Sequence, residues 1–304
     1  MRIILKTYIL WPVSFLLLSF FAWQVFLAPP ENFPEDKMIR IKKGASLREV
    51  SELLKNENLI KNKTAFIVAA RLSAKANKIK HGDYLFEKRT SALAIIRRVG
   101  RGEFGVEPVK IVVPEGSDNL DIAGMFSGFE YFDREKFVKE SEGKEGYLFP
   151  DTYLFFKTAE AEEAIREMTS NFQKKVGSID KDALIMASII EKEASNGQDR
   201  KIISGILWKR IKIGMPLQVD AVFPYITREK EISADDKKID SPYNTYLYKG
   251  LPPGPIANPG LDAIDAALNP EDSPYLYYLH DKNSTTRFAR TYEEHLKNVE
   301  KYLK

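Results

Sequence analysis

Ala187-Ser-Ile-Ile-Glu-Lys-Glu-Ala194 closes an otherwise uncharged run on two glutamates, and Glu191 is the titratable group whose setting best suits acid catalysis. A carboxyl among apolar side chains keeps its proton at neutral pH, as a general acid must. Leu184, Ala187, Ser188 and Glu191 recur at i, i+3, i+4 and i+7, so the run predicts a helix with these four on one face. Residues Ala183 to Ile190 carry no charge on any face, which is the pattern of a helix wrapped by protein. Ser178 or Asp180 can cap its start, and Asn196-Gly197 can stop it. Glu193 lies about 200° further round than Glu191 at ~100° per residue, so the two glutamates need not share an environment. Taken alone, the helix favours a solvated last turn for both, because glutamate is rarely buried unless paired or functional.

Composition narrows the chemistry. There are no cysteines, which removes thiol nucleophiles and most zinc sites. The three histidines, His81, His280 and His295, are scattered, so neither a metal centre nor a Ser-His-Asp triad is expected, and acid-base work falls to carboxylates, tyrosines or lysines. A net charge of +3 from 46 basic and 43 acidic residues leaves no surplus to neutralise a phosphate backbone, which disfavours nucleic acid as a partner. With 304 residues, 44% of them hydrophobic, the chain can build two modest cores.

Residues 8–27, from Tyr8 to Leu27, run ~20 positions without a charge, enough to cross the hydrocarbon core as a helix. Phe26-Leu27-Ala28 lacks the small residue a signal peptidase site needs, so the segment reads as an uncleaved anchor. Arg2 and Lys6 precede it, while Glu31, Glu35 and Asp36 follow first, which favours residues 1–7 in the cytoplasm and the rest outside. Residues 28–37 form a proline-rich stalk. Beyond it, a strand from Ile39, a turn at Gly44, a helix with a Ser46/Glu49 capping box, a second helix after Asn62 and a strand through Tyr84 and Phe86 make a small α/β module. Val109 to Ser117 repeats the strand-turn-helix logic with Gly116 in the place of Gly44. Helices are expected from about Ala159 to Val176 and from about Asp199 to Ile213. A strand is expected over Met215 to Phe223, followed by turn-dense loops through Gly260. Tyr275 to Leu279 and Arg287-Phe-Ala read as strands, and Tyr292 to Leu303 as a closing helix. Rigid, irregular loops bearing Asn, Thr and Tyr side chains are good places to hold a substrate.

Six motifs then occur together and in order: Gly146-Tyr-Leu-Phe-Pro-Asp-Thr-Tyr153, Ala187 to Glu193, Gly214-Met-Pro-Leu-Gln218 with Asp220, Tyr243-Asn-Thr-Tyr246, Gly250 to Ala257, and Pro274-Tyr-Leu-Tyr277. The set resembles the YceG-like (MltG) endolytic murein transglycosylases of bacteria. That resemblance implies an α+β chain with an N-terminal transmembrane helix, a LysM-like module over residues 38–105 and a mixed α+β catalytic domain over residues 106–304. It also implies cleavage of the bond between N-acetylmuramic acid and N-acetylglucosamine within peptidoglycan strands, leaving a 1,6-anhydro muramyl end. Matched on the first glutamate of the Glu-Lys-Glu pair, the catalytic residue is Glu191: it donates a proton to the leaving oxygen and then takes one from the sugar's own C6 hydroxyl.

Gln218, Asp220, Asn244 and Thr245 offer polar groups to sugar hydroxyls and N-acetyl groups. Tyr147, Tyr225 and Tyr246 offer stacking faces, and Asp220 is the expected assistant to Glu191. The family's Gln-x-Asp element commonly continues Pro-Thr-Val, whereas this chain has Asp220-Ala-Val-Phe-Pro-Tyr225, which removes any role for a threonine there. No cofactor is expected. A pyridoxal-phosphate lyase, an activity sometimes attached to such sequences, is disfavoured by the export anchor and by the lack of a lysine in a phosphate-binding context. Expected partners are glycan strands and peptidoglycan synthases. The rival reading is a non-catalytic peptidoglycan-binding or scaffold protein.

Overall fold

The computed structural model describes residues 14, 20–21, 23–73, 79–194, 196–229, 231–283 and 285–303. The expected anchor at residues 8–27 lies mostly outside them. Among the described residues no helix is long and apolar enough to cross a membrane. The chain divides into two compact units, one ending at Val109 and one beginning at Lys110.

In the first unit, β1 (Lys37–Ile41) pairs antiparallel with β2 (Gly82–Phe86), with Lys37 opposite Phe86 and Ile41 opposite Gly82. Between them come α1 (Leu47–Asn56) and α2 (Lys63–Leu72), and α3 (Ala92–Arg101) follows. The capping box forms as the sequence predicts: Glu49 N–H donates to Ser46 Oγ and Ser46 N–H donates to the Glu49 carboxylate. Asn62 likewise caps α2. Val50, Leu54, Phe66, Tyr84, Phe86, Ile95 and Val99 fill the core, each buried side chain contributing ~1.5–3 kcal/mol.

The second unit opens with β3 (Val109–Val112), which pairs with β4 (Thr152–Phe155) around the helices α4 (Asn119–Met125) and α5 (Arg134–Glu140). Gly44 and Gly116, the two glycines aligned by the internal echo, have φ of 81° and 78°, so both turns require the left-handed region. Then come α6 (Ala161–Lys175), α7 (Lys181–Glu193), α8 (Gly197–Lys212), the short α9 (Phe223–Thr227), α10 (Leu261–Leu268), the antiparallel hairpin of β5 (Tyr277–His280) and β6 (Thr286–Ala289), and α11 (Tyr292–Tyr302). Helix α7 is the axis of the core. Every residue from Ala183 to Ile190 is buried, and α8 and α10 pack on it.

Two expectations change. Asn196 does not end α7 but caps α8, its Oδ1 accepting from Asp199 N–H at 2.9 Å. Met215 to Phe223 is not a strand: residues 215–219 are irregular, and Asp220–Val222 forms a 3-10 turn leading into α9. Gln218 has a φ of 51°, outside the β region that a regular strand requires, and Pro224 lies in the first turn of α9, where its missing N–H costs nothing.

Candidate active site

The end of α7 sends its two glutamates into different surroundings. Asp180 anchors the other end, its Oδ2 accepting from Asp182 N–H at 3.0 Å and Ala183 N–H at 3.3 Å. Glu191 turns inward against α8 and the start of α10. Its Oε1 meets Arg200 Nη2 at 2.7 Å and its Oε2 accepts from Gly260 N–H at 2.9 Å. The pair is closed off from water, with side-chain exposures of 9% for Arg200 and 5% for Glu191. Arg200 Nε donates to Ala194 O at 2.9 Å, so the pair also seals the end of the helix. Burial raises the Glu191 carboxyl above its ordinary value, against the opposing pull of the Gly260 N–H and the Arg200 charge.

Glu193 instead lies in the wall of a cleft of about 1170 Å³. Its Oε2 accepts from Tyr278 Oη at 2.8 Å, and its Oε1 takes only a long contact, 3.4 Å, from Ala221 N–H. No ion pair to Glu193 occurs among the described residues. Burial raises its carboxyl above the ordinary value; the Tyr278 hydroxyl, His280 and the Ala221 N–H oppose the rise, and the Asp220 charge adds to it. Desolvation of this kind favours the neutral form of a carboxyl over the charged one. Of the two glutamates, Glu193 lines the cleft and Glu191 does not.

Four of the expected contact residues do line it: Gln218, Asp220, Tyr225 and Tyr246. Asp220 Oδ1 accepts from Tyr246 Oη at 2.6 Å and pairs with Lys237 Nζ at 3.1 Å, and that amine also reaches Tyr246 Oη at 3.0 Å. Gln218 and Arg228, both on the cleft wall, have positive φ values of 51° and 64°. Non-glycine residues held there cost energy, and such positions cluster at functional sites. Asn244 and Thr245, also expected as contacts, are not among the residues that line the cleft. Both are fully buried, Asn244 Nδ2 donating to Lys237 O and Ile239 O, and Thr245 Oγ1 accepting from Val219 N–H at 3.0 Å. They shape the loop that presents Gln218, Asp220 and Tyr246. His280 and His295, distant in sequence from the Glu-Lys-Glu motif, also line the cleft. Sequence reasoning missed Tyr278, since only the pairing of β5 with β6 aims it at Glu193.

Tyr147 lines a second cavity of about 1100 Å³ with Glu145, Tyr225 and Tyr243. Glu145 Oε1 accepts from Asn258 Nδ2 at 3.0 Å and Oε2 from Asn119 N–H at 3.3 Å. Burial pushes its carboxyl up to about 8, against the Asn119 N–H; Asp118 and Asp121 add to the rise and Arg228 opposes it.

Each cavity exceeds the ~300–1,000 Å³ of an ordinary small-ligand pocket. Fold and site together define an α+β protein with a carboxyl-lined cleft. A crystal structure of a yceG-like protein from Listeria monocytogenes shares the fold, with a TM-score of 0.53 at 30% identity over 86% of this chain and 98% of that one. The YceG-like family model matches residues 39–301, and the chain belongs to that family. The endolytic murein transglycosylase of Bacillus subtilis strain 168 is 32% identical over 306 residues, covering 87% of this chain and 84% of the relative. The endolytic murein transglycosylase of Streptococcus pneumoniae serotype 2 strain D39 is 28% identical over 320 residues, and the match spans 58% of its length.

Proposed function

We propose that the chain is a peptidoglycan lytic transglycosylase that cleaves within glycan strands, with Glu193 rather than Glu191 as its acid and base. The activity follows the names of its relatives and the family to which it belongs. One observation carries the choice of residue: of the two glutamates only Glu193 opens on the cleft, with hydrogen-bond donors around it and no cation in contact among the described residues. Glu191 already has a buried guanidinium for a partner.

Protonated Glu193 donates to the glycosidic oxygen as the C1–O bond breaks and positive charge grows at C1 of the muramyl sugar. Oε1, with its single long contact, is the oxygen available to carry that proton, while Tyr278 steadies Oε2 and supports the carboxylate once the proton has left. The sugar's C6 hydroxyl then attacks C1 and returns its proton to Glu193, which regenerates the acid and closes the 1,6-anhydro ring. No water enters, and the high effective molarity of an intramolecular nucleophile removes the need for a second catalytic carboxylate. Asp220, tied to Lys237 and Tyr246, favours the proton on Glu193 through its charge and suits contact with sugar hydroxyls, beside Gln218 and the faces of Tyr225 and Tyr246.

The uncharged stretch at residues 8–27 and the charges flanking it support a single-pass anchor that holds both units outside the cytoplasm, within reach of peptidoglycan synthases. The strand-helix-helix-strand order of the first unit supports a LysM-like module. Incubating the protein with purified sacculi and analysing the products by mass spectrometry tests the reading. Anhydro-muropeptides are expected from wild type and not from Glu193→Gln. Reducing ends would indicate hydrolysis, and no cleavage by wild type would favour the binding or scaffold reading.

A further inference from the structure

The second cavity is not a separate pocket. Leu120, Arg134, Tyr225 and Arg228 line both it and the cleft that holds Glu193, so a ligand in one can continue into the other past the Tyr225 ring. Its chemistry nevertheless differs. Tyr147, Tyr243, Pro253 and Pro255 give it apolar faces, and Arg134, Lys139 and Lys181 line it with no ion pair among the described residues. Arg134 and Lys181 hold the first positions of α5 and α7, where the helix macrodipole disfavours a cation, so a bound anion would relieve an existing cost. Arg228 stands at the junction. Its backbone is in the left-handed region, its guanidinium lies 4.7 Å from the centre of the Tyr225 ring, and Nη1 pairs with Asp118. Of the acidic residues, Glu135 and Glu142 face the cavity as charges, while buried Glu145 holds its proton at neutral pH and leaves the floor uncharged. The balance is cationic.

We propose that this cavity binds the acidic peptide carried by the muramyl sugar whose bond lies at Glu193. The inference rests on the function proposed above. A strand lying along the cleft must direct the substituent of that sugar away from the glycan axis, and the lining shared with the second cavity offers it a route past Tyr225 and Arg228. There the peptide's carboxylates meet Arg134, Lys139 and Lys181, and its aliphatic side chains lie on Tyr147, Tyr243 and the two prolines. The cavity thus selects strands that still bear peptides.

The test uses the full chain and two substrates prepared from one batch of glycan strands, one with peptides intact and one stripped by an amidase. The readout is the ratio of kcat/KM for release of anhydro ends, peptide-bearing over peptide-free. Wild type is expected to favour the peptide-bearing strands about tenfold or more, and Arg134→Glu/Lys181→Glu to bring the ratio close to one. Glutamate suits the first turn of a helix, so the double variant is expected to fold, and a matching circular dichroism spectrum and melting temperature check this. Equal rates on both substrates for wild type, or a ratio that the double variant leaves unchanged, overturn the peptide assignment and leave the transglycosylase reading standing. Absence of anhydro ends from both substrates overturns that underlying reading, and the peptide assignment with it.

Discussion

Replacing Glu145 with glutamine makes a sharp test of the buried carboxyl beneath the second cavity. The group titrates at 4.5 ordinarily and at about 8 in the fold, mainly because burial penalises its charge. Between those values the native state holds a proton that the unfolded chain has released. Fewer protons are then bound in the unfolded state, and stability falls as pH rises. At ~1.4 kcal/mol per unit, the cost reaches roughly 3 kcal/mol at pH 7 and about 5 kcal/mol above pH 8. Glutamine has nearly the same shape and never ionises, so Glu145→Gln removes this penalty while giving little change near pH 4. Denaturation of both proteins across pH 5 to 9 should show the variant's advantage growing with pH and levelling near 8. At pH 7 it is worth roughly 6–12 °C for a domain of this size. Parallel stability curves would refute the reasoning, since Glu145 would then be ionised in the fold at no cost.

Three further outcomes follow from the geometry. Tyr278→Phe removes a donor that stabilises ionised Glu193, so its carboxyl should rise further: kcat falls about tenfold, and the alkaline limb of the activity profile moves up by about one pH unit. Glu191→Gln leaves the buried Arg200 guanidinium with the longer contact to exposed Asp262, 3.7 Å, as its remaining ion pair among the described residues, and should cost about 3 kcal/mol in urea denaturation, without loss of anhydro product from the folded fraction. Gly205→Ala should destabilise by about 1–3 kcal/mol despite alanine's higher helix propensity, because its Cβ would lie 1.9 Å from the Glu271 carbonyl oxygen. A thermal melt of the variant reads that loss directly.

Periodicity and caps made most helices legible. Ser46 with Glu49 and Asn62 are local signals that initiate their helices as expected, and of the two candidate caps Ser178 and Asp180 the fold uses Asp180. The uncharged face of α7 was equally plain. What the sequence could not convey was which of two glutamates, two residues apart, faces the cleft. That depends on Arg200, nine positions on, closing over Glu191, and on Tyr278, 85 positions on, reaching Glu193 through a hairpin. Asn244 and Thr245 illustrate a related point. Polar loop residues look free until the loop is folded, and here they hold its backbone. Gln218 disguised a turn as a strand, since β-branched neighbours suggest extension and only the fold reveals its positive φ.

The central claim is that Glu193 carries the proton and Glu191 holds the fold. Mass spectrometry of sacculi digested by Glu193→Gln and by Glu191→Gln, each normalised to folded protein, tests it most directly. No anhydro-muropeptides are expected from the first and a substantial yield from the second. Anhydro product from Glu193→Gln together with its loss in Glu191→Gln would contradict it and return the catalytic role to the ion-paired residue.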